Sequence, residues 1–165
     1  RAGCSLQEAE NLRTAILGKF KVLSKWIGEQ LEVAKQKGYA STYLNGSHAR
    51  RRWLPDLYSE DKRAQSSAER ATWNTPVQGS ASDICLRSLV DVVRWVKGDA
   101  FPGKVVSTVH DSIMLEVEND SLDEAAWQLR EIMTRAQAND VPLVVDLEAG
   151  PSWAELEPYE PKEHV

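Results

Sequence analysis

The chain is short of the residues that most often declare a chemistry. Its 165 residues include two cysteines, Cys4 and Cys85, and three histidines. No short spacing joins either cysteine to the other or to a histidine, which excludes the usual ligand patterns of zinc, and one distant pair is a poor basis for a disulfide framework. A reducing, intracellular setting is the simpler expectation. No apolar run approaches the roughly 18 residues of a membrane span. The N-terminus lacks the basic-then-apolar order of a signal peptide. The sequence therefore predicts a soluble protein with no membrane partner. Internal repeats, low-complexity tracts, a P-loop, a nucleophile elbow and a Ser-His-Asp arrangement are also absent.

What is present is the composition of a globular piece. With 42% hydrophobic and 27% charged residues, the chain can bury one real core and falls in the single-domain range. Six Trp is many for this length, yet Trp26, Trp95 and Trp127 fall within helical patterns and read as core or contact residues rather than base-stacking platforms. The net charge of −5 argues against a nucleic-acid partner until it is divided along the chain. Residues 1–98 hold 16 Lys and Arg against 10 Asp and Glu, a balance of +6, whereas residues 99–165 hold 4 against 15, a balance of −11. A polyanion would meet the first part, and the acidic end would face metal or solvent. The densest basic cluster is His48 to Arg52, beside Trp53. It reads equally as a solvated hairpin or as a clamp on a phosphate backbone through Arg51 and Arg52.

Local patterns predict an alternation of helices and short strands. Ser5 and Glu8 have the spacing of a capping box, followed by Phe20, Leu23, Ile27, Leu31 and Ala34 at helical steps, with Gly38 as a stop. Tyr39 to Tyr43 and Arg51 to Leu54 read as strands around an Asn45-Gly46 turn. Helices are expected from Glu60 to Trp73 and from Pro76 to Val96. Lys97-Gly98-Asp99 and Pro102-Gly103 then punctuate the chain. Ser121 is placed to cap a helix with Leu122, Ala125, Ala126, Leu129, Ile132 and Met133 on one face. Leu143 to Leu147 read as a last strand, Trp153 as a plug at the end of the sheet, and the residues after Pro158 as a loose tail.

Two stretches carry candidate chemistry. In VVSTVHDSIMLEVE, Val105 to Glu118, β-branched residues precede His110-Asp111, and Ile113, Leu115 and Val117 alternate with more polar positions after it, so the pair sits at a tight reversal between strands. A carboxylate held there could ligate a hard cation such as Mg²⁺; the plainer alternative is an Asp that caps a hairpin. In the second stretch, Ala68 to Leu86, the residues Arg70, Asn74 and Gln78 recur every fourth position and would form a row on one helix face. Pro76 suits a first helical turn better than a middle, so the row should cross from one helix into the next. A forked cation and two amides suit the acceptors of a duplex minor groove, while a solvated face capped at Asn74 or Thr75 would need the same residues.

Taken together, the segments GYASTYLNGSHARRRWLPDL (Gly38 to Leu57), AERATWNTPVQGSASDI (Ala68 to Ile84) and VHDSIMLEVE (Val109 to Glu118) resemble the C-terminal end of a family A DNA polymerase, of the bacterial polymerase I and T-odd phage type. PLVVDLEAGPSWAEL, Pro142 to Leu156, is a weaker match. The resemblance implies an α+β fold: a palm-type antiparallel sheet packed on helices, with part of the fingers helices. Residues 1–98 would be the end of the fingers with the basic hairpin, residues 99–157 the palm segment, and residues 158–165 the tail. It further implies that Asp111 is a catalytic carboxylate binding Mg²⁺. His110 would touch the primer terminus, and Arg70, Asn74 and Gln78 would contact primer-template DNA from the minor-groove side. Where the family usually continues with Glu after this Asp, Ser112 stands here, which puts the role of that second acid in doubt.

The resemblance also implies what this stretch does not supply. Two-metal transfer needs at least two carboxylates that bridge the ions. The family's other essential Asp, and the fingers helix that carries Lys, Arg and Tyr to the deoxynucleoside triphosphate, would lie before Arg1; Ala2 to Leu12 resemble the segment just after that helix. No residue here is assigned to the triphosphate. The expectation is a truncated, proteolysed or naturally split polymerase part, from a bacterial cytoplasm or a phage-infected host. Alone it would be inactive, and it would need a complementary N-terminal part and two shared Mg²⁺ ions for template-directed nucleotidyl transfer. Two readings of other classes stand beside it: a non-catalytic DNA-binding or assembly module that retains the palm fold, and a metal-dependent nuclease using Asp111 with Asp83 or Asp146.

Overall fold

Ser5 and Glu8 open the first helix by the predicted capping box. Glu8 N–H donates to Ser5 Oγ at 3.3 Å, and Ser5 N–H donates to Glu8 Oε2 at 2.8 Å. The structure, a computed structural model, describes residues 3, 5–43, 49–98, 101–135 and 142–162. The chain divides into two compact units, Arg1–Gly79 and Ser80–Val165.

In the first unit, the expected single helix after Ser5 is two helices, α1 (Leu6–Lys19) and α2 (Lys21–Lys37). Phe20 is the joint, at φ −102° and ψ 68°. Its N–H closes α1 on Ile16 O at 3.0 Å, and its carbonyl opens α2 by accepting from Ser24 N–H at 2.9 Å. Gly38 stops α2 as its type predicts, at φ +77°, a left-handed cap that side chains rarely adopt. Strands β1 (Tyr39–Ser41) and β2 (Arg51–Trp53) then pair antiparallel, Tyr39 opposite Trp53 and Ser41 opposite Arg51. The Asn45-Gly46 turn lies outside the described residues. A short 3-10 turn, Pro55–Tyr58, leads to α3 (Lys62–Asn74), whose cap Asp61 accepts from Arg63 N–H at 2.8 Å.

The core of this unit is built from small residues, Ala34, Ala40, Ala68 and Ala71, around Leu54 and Leu57, with Leu31 packed against it. Alanine at those positions lets α2, α3 and β1 approach closely. Leu57, fully buried, fills the remaining space.

In the second unit, α4 (Ser80–Gly98) lays Cys85, Val92, Leu89, Trp95 and Val96 against an antiparallel hairpin, β3 (Gly103–Val109) and β4 (Ser112–Val117). Helix α5 (Leu122–Arg135) adds Leu129, Ile132 and Met133 to the same core, as their spacing predicts. Burying each such side chain fully stabilises by about 1.5–3 kcal/mol. A bulge between Val105 and Ser107 interrupts the ladder, a device that increases twist. The division of the chain falls between Gly79 and Ser80, and within the second unit α4 packs on β3 and α5. Together the units are α+β, with antiparallel strand pairs and helices, as expected.

Two local expectations fail in the C-terminal stretch. Leu143 to Leu147 form no strand; the final pair is β5 (Glu148–Ala149) with β6 (Glu157–Pro158). The pair closes where Gly150 lies so near Glu155 that a Cβ would meet its carbonyl oxygen. Trp153 is 67% exposed and plugs nothing. The stretch after Pro158 is tethered through Lys162. Tyr159 OH donates to Asp123 Oδ1 at 2.6 Å, Lys162 N–H to the same oxygen at 3.0 Å, and Arg130 pairs with Glu160 at 2.8 Å.

Candidate functional site

The register of the hairpin, with Val109 opposite Ser112, leaves His110 and Asp111 as a two-residue turn. Rigid ladders flank it on both sides, and both residues are exposed. His110 takes φ +55°, and among the described residues it is the one non-glycine with positive φ. Hairpin turns want Gly, Asn or Asp there, and a side chain in that region costs about 1–2 kcal/mol. Such strain persists where neighbours over-determine the backbone. Two contacts do so here: Ser112 Oγ donates back to Val109 O at 2.8 Å, and Cys85 Sγ approaches His110 O at 3.8 Å from α4 below.

Ser112, the departure from the family pattern, is thus a turn clip whose hydroxyl points at backbone. Cys85 is buried, and burial, followed by the nearby negative charge of Asp111, pushes its thiol pKa up, although Thr108 opposes this with a hydrogen bond. The thiol therefore stays neutral and acts as packing and brace. Nothing in the sequence pattern had marked it.

The donor chemistry at the turn fits a hard cation, since Asp111 offers carboxylate oxygens. The donor count does not complete a site. Among the described residues no group of three or more His, Cys, Asp or Glu side chains is placed to hold an ion. Asp83, weighed as an alternative ligand, is buried on α4; Asp146 is exposed in the unpaired stretch before β5; Asp91 pairs with Arg94 at 3.1 Å.

Arg70, Asn74 and Gln78 are all exposed, in the first unit. Arg70 Nη1 donates to Ser66 Oγ at 2.8 Å, one turn back on α3, and Asn74 is the last residue of that helix. The row does cross an interruption, but of another kind than expected. Residues Thr75–Gly79 form a π turn before α4. Pro76 has no N–H for the Thr72 carbonyl, and its ring would collide with that carbonyl in an α-helix, so the turn widens. Gln78 lies exposed within that turn, while Thr75 and Pro76 are buried.

The basic cluster separates into different roles. His48 lies outside the described residues. Arg50 Nη2 donates to Gly79 O at 3.1 Å. The Arg51 guanidinium lies 4.9 Å from the centre of the Tyr39 ring, and Tyr39 meets Trp53 edge-on at 5.1 Å. Arg51 and Arg52 are both exposed on β2.

One unit carries an exposed carboxylate on a braced hairpin and the other carries exposed amide and guanidinium groups on a widened helix, both within an α+β class of helices and antiparallel strand pairs. The family model described as "DNA polymerase family A" matches residues 1–155, and the chain belongs to that family. It is 34% identical over 151 residues to DNA polymerase I of Bacillus subtilis, covering 92% of this chain and 17% of that protein. It is 33% identical over 153 residues to the thermostable DNA polymerase I of Thermus filiformis, covering 93% of this chain and 18% of that one. Among solved structures, the POL domain of Pol1 from M. smegmatis, in complex with DNA primer-template and dNTP, superposes with a TM-score of 0.75 at 32% identity, over 85% of this chain and 24% of that one. The chain therefore spans less than a quarter of the length of each of these relatives. The polymerase-type fold expected from the sequence is the fold observed. Among the described residues no helix is long and apolar enough to cross a membrane.

Proposed function

We propose that this chain is the C-terminal part of a DNA-directed DNA polymerase that transfers nucleotides to a primer 3′ end on a template. The observation that carries the reading is Asp111, exposed at the tip of a doubly braced turn in a chain of family A. Residues 99–157 would form the palm segment and residues 1–98 the end of the fingers with the basic hairpin. Asp111 would be one of the carboxylates holding Mg²⁺, which when bound supplies charge stabilisation to the attacking and leaving oxygens. The second carboxylate and the triphosphate-binding groups would come from a complementary N-terminal part, on the same or a separate chain, in a bacterial or phage-infected cytoplasm. His110 would place the primer terminus. Arg70, Asn74 and Gln78 would read duplex geometry through acceptors common to all base pairs, and Arg51 and Arg52 would hold the phosphate backbone.

A second reading, a DNA-binding or assembly module without chemistry, is favoured by one observation: the Ser112 hydroxyl, next to Asp111, is bonded to the Val109 carbonyl and serves the turn. Primer extension with Mg²⁺ and four deoxynucleotides separates the two. This chain alone is compared with its mixture with a family A N-terminal part that carries the missing carboxylate and fingers helix. Extension in the mixture only, abolished by Asp111→Ala, supports the polymerase. An assembled mixture that binds duplex and extends nothing supports the module.

A further inference from the structure

We infer that Arg50 and Thr42 are positioning residues that set the orientation of Gln78 by gripping Gly79, the last residue of the π turn. The inference rests on the proposed DNA role of Gln78. It adds to the duplex-reading site two residues that carry no role in that proposal.

The π turn needs an external hold. Pro76 gives it no N–H, so its ladder is weaker than that of the helices on either side. Gly79 is gripped in two ways. The Arg50 guanidinium donates to its carbonyl at 3.1 Å, a charge-assisted bond stronger than a neutral one. The Thr42 methyl lies over its Cα so closely that a Cβ at Gly79 would sit 2.6 Å from Thr42 Cγ2. The grip is itself locked: Thr42 N–H donates to Arg50 O at 3.0 Å, and Arg50 N–H donates to Thr42 Oγ1 at 3.2 Å. Thr42 is 4% exposed, and Thr75 and Pro76 close the inner side of the turn.

Gln78 is exposed and directly precedes the gripped residue. Any shift of Gly79 therefore turns the Gln78 amide. An amide that reads base-pair geometry works only when it is aimed within hydrogen-bonding tolerance. The effect belongs on discrimination between matched and mismatched primer ends, whereas a phosphate contact would weaken both ends alike.

The test uses the complete polymerase containing this chain and compares extension from matched and mismatched primer termini. The variants are Gln78→Ala, Gly79→Ala, Gly79→Ala with Thr42→Ser, Arg50→Ala and Arg50→Lys. Gly79→Ala should lower the match-over-mismatch ratio several-fold, up to about tenfold. Thr42→Ser removes Cγ2 and keeps Oγ1 for the Arg50 N–H, so the double variant should recover the ratio. Arg50→Ala should lower it, and Arg50→Lys should keep part of it, because the ammonium is still a charged donor to Gly79 O but lacks the fixed guanidinium geometry. If Gly79→Ala does not fold, the two Arg50 variants decide. A ratio that falls with Gln78→Ala but holds in the Gly79 and Arg50 variants overturns the grip alone, as does an equal loss on both termini. A ratio that Gln78→Ala leaves unchanged overturns the role of Gln78 itself, and the grip with it.

Discussion

The two units differ in both charge and core. Residues 1–79 carry 13 Lys and Arg against 8 Asp and Glu, whereas residues 80–165 carry 7 against 17. The basic unit is packed with alanines around Leu54 and Leu57; the acidic unit is packed with Val92, Ile113, Trp95 and the branched residues of α5. Small core residues bring backbones close and leave long polar side chains outside, where a polyanion can be met along a surface. Large ones clamp a hairpin from below, so that a short turn can be held in a strained shape. On the proposed function, the first unit would meet the duplex and the second would hold Asp111.

The sharpest way to break this comparison is Asp111→Ala in the assembled polymerase. If Asp111 holds Mg²⁺ as proposed, its loss removes several kcal/mol of charge stabilisation, and extension should fall by at least about a thousandfold. Duplex binding, assigned to the basic unit, should stay within about twofold. A variant that keeps extending would remove the chemistry from the acidic unit.

Leu57→Ala probes the other core. Leu57 is 2% exposed, and emptying such a site costs about 2–5 kcal/mol. Hydrogen exchange should rise in α2, α3 and β1 before it rises in α4 and the β3–β4 hairpin. Equal loosening of both units would show that they unfold as one. This difference was only partly legible in the sequence. The capping box, the Gly38 stop, the hairpin at His110-Asp111 and the α5 stripe follow from spacing and propensity, and all four are observed. The break at Phe20, the π turn at Pro76 and the exposed Trp153 do not. Each is decided by which neighbour a backbone group meets, and that is tertiary information. The candidate residues themselves stood out as types; what braces them, Cys85 beneath the turn and Arg50 on Gly79, did not.

A smaller effect is expected from the exposed arginines. If Arg51 and Arg52 each neutralise one phosphate, changing both to Ala should reduce the steepness of the log affinity against log salt plot by about two. The loss should be the same for all duplex sequences. A sequence-dependent loss would move these residues from holding the backbone to reading bases. An unchanged slope would leave Arg51 as packing on Tyr39 alone.

The smallest expected effect concerns pH and the acidic unit only. The Cys85 thiol lies above its ordinary value of 9.0 because it is buried and faces the charge of Asp111. An acid whose folded pKa is raised leaves the native state holding more protons than the unfolded chain once the pH passes the unfolded value. Its contribution is therefore complete below about pH 8.5 and declines as pH rises toward the folded value. Within that window the loss is at most about 1.4 kcal/mol per pH unit. Urea unfolding of the Cys85→Ala variant should start from lower stability, because a cavity is left, but should fall less steeply above pH 9 than the parent chain. Parallel slopes would mean that the thiol ionises as freely in the folded state as in the unfolded chain. The brace under His110 would then be looser than a 3.8 Å contact from a buried sulfur implies.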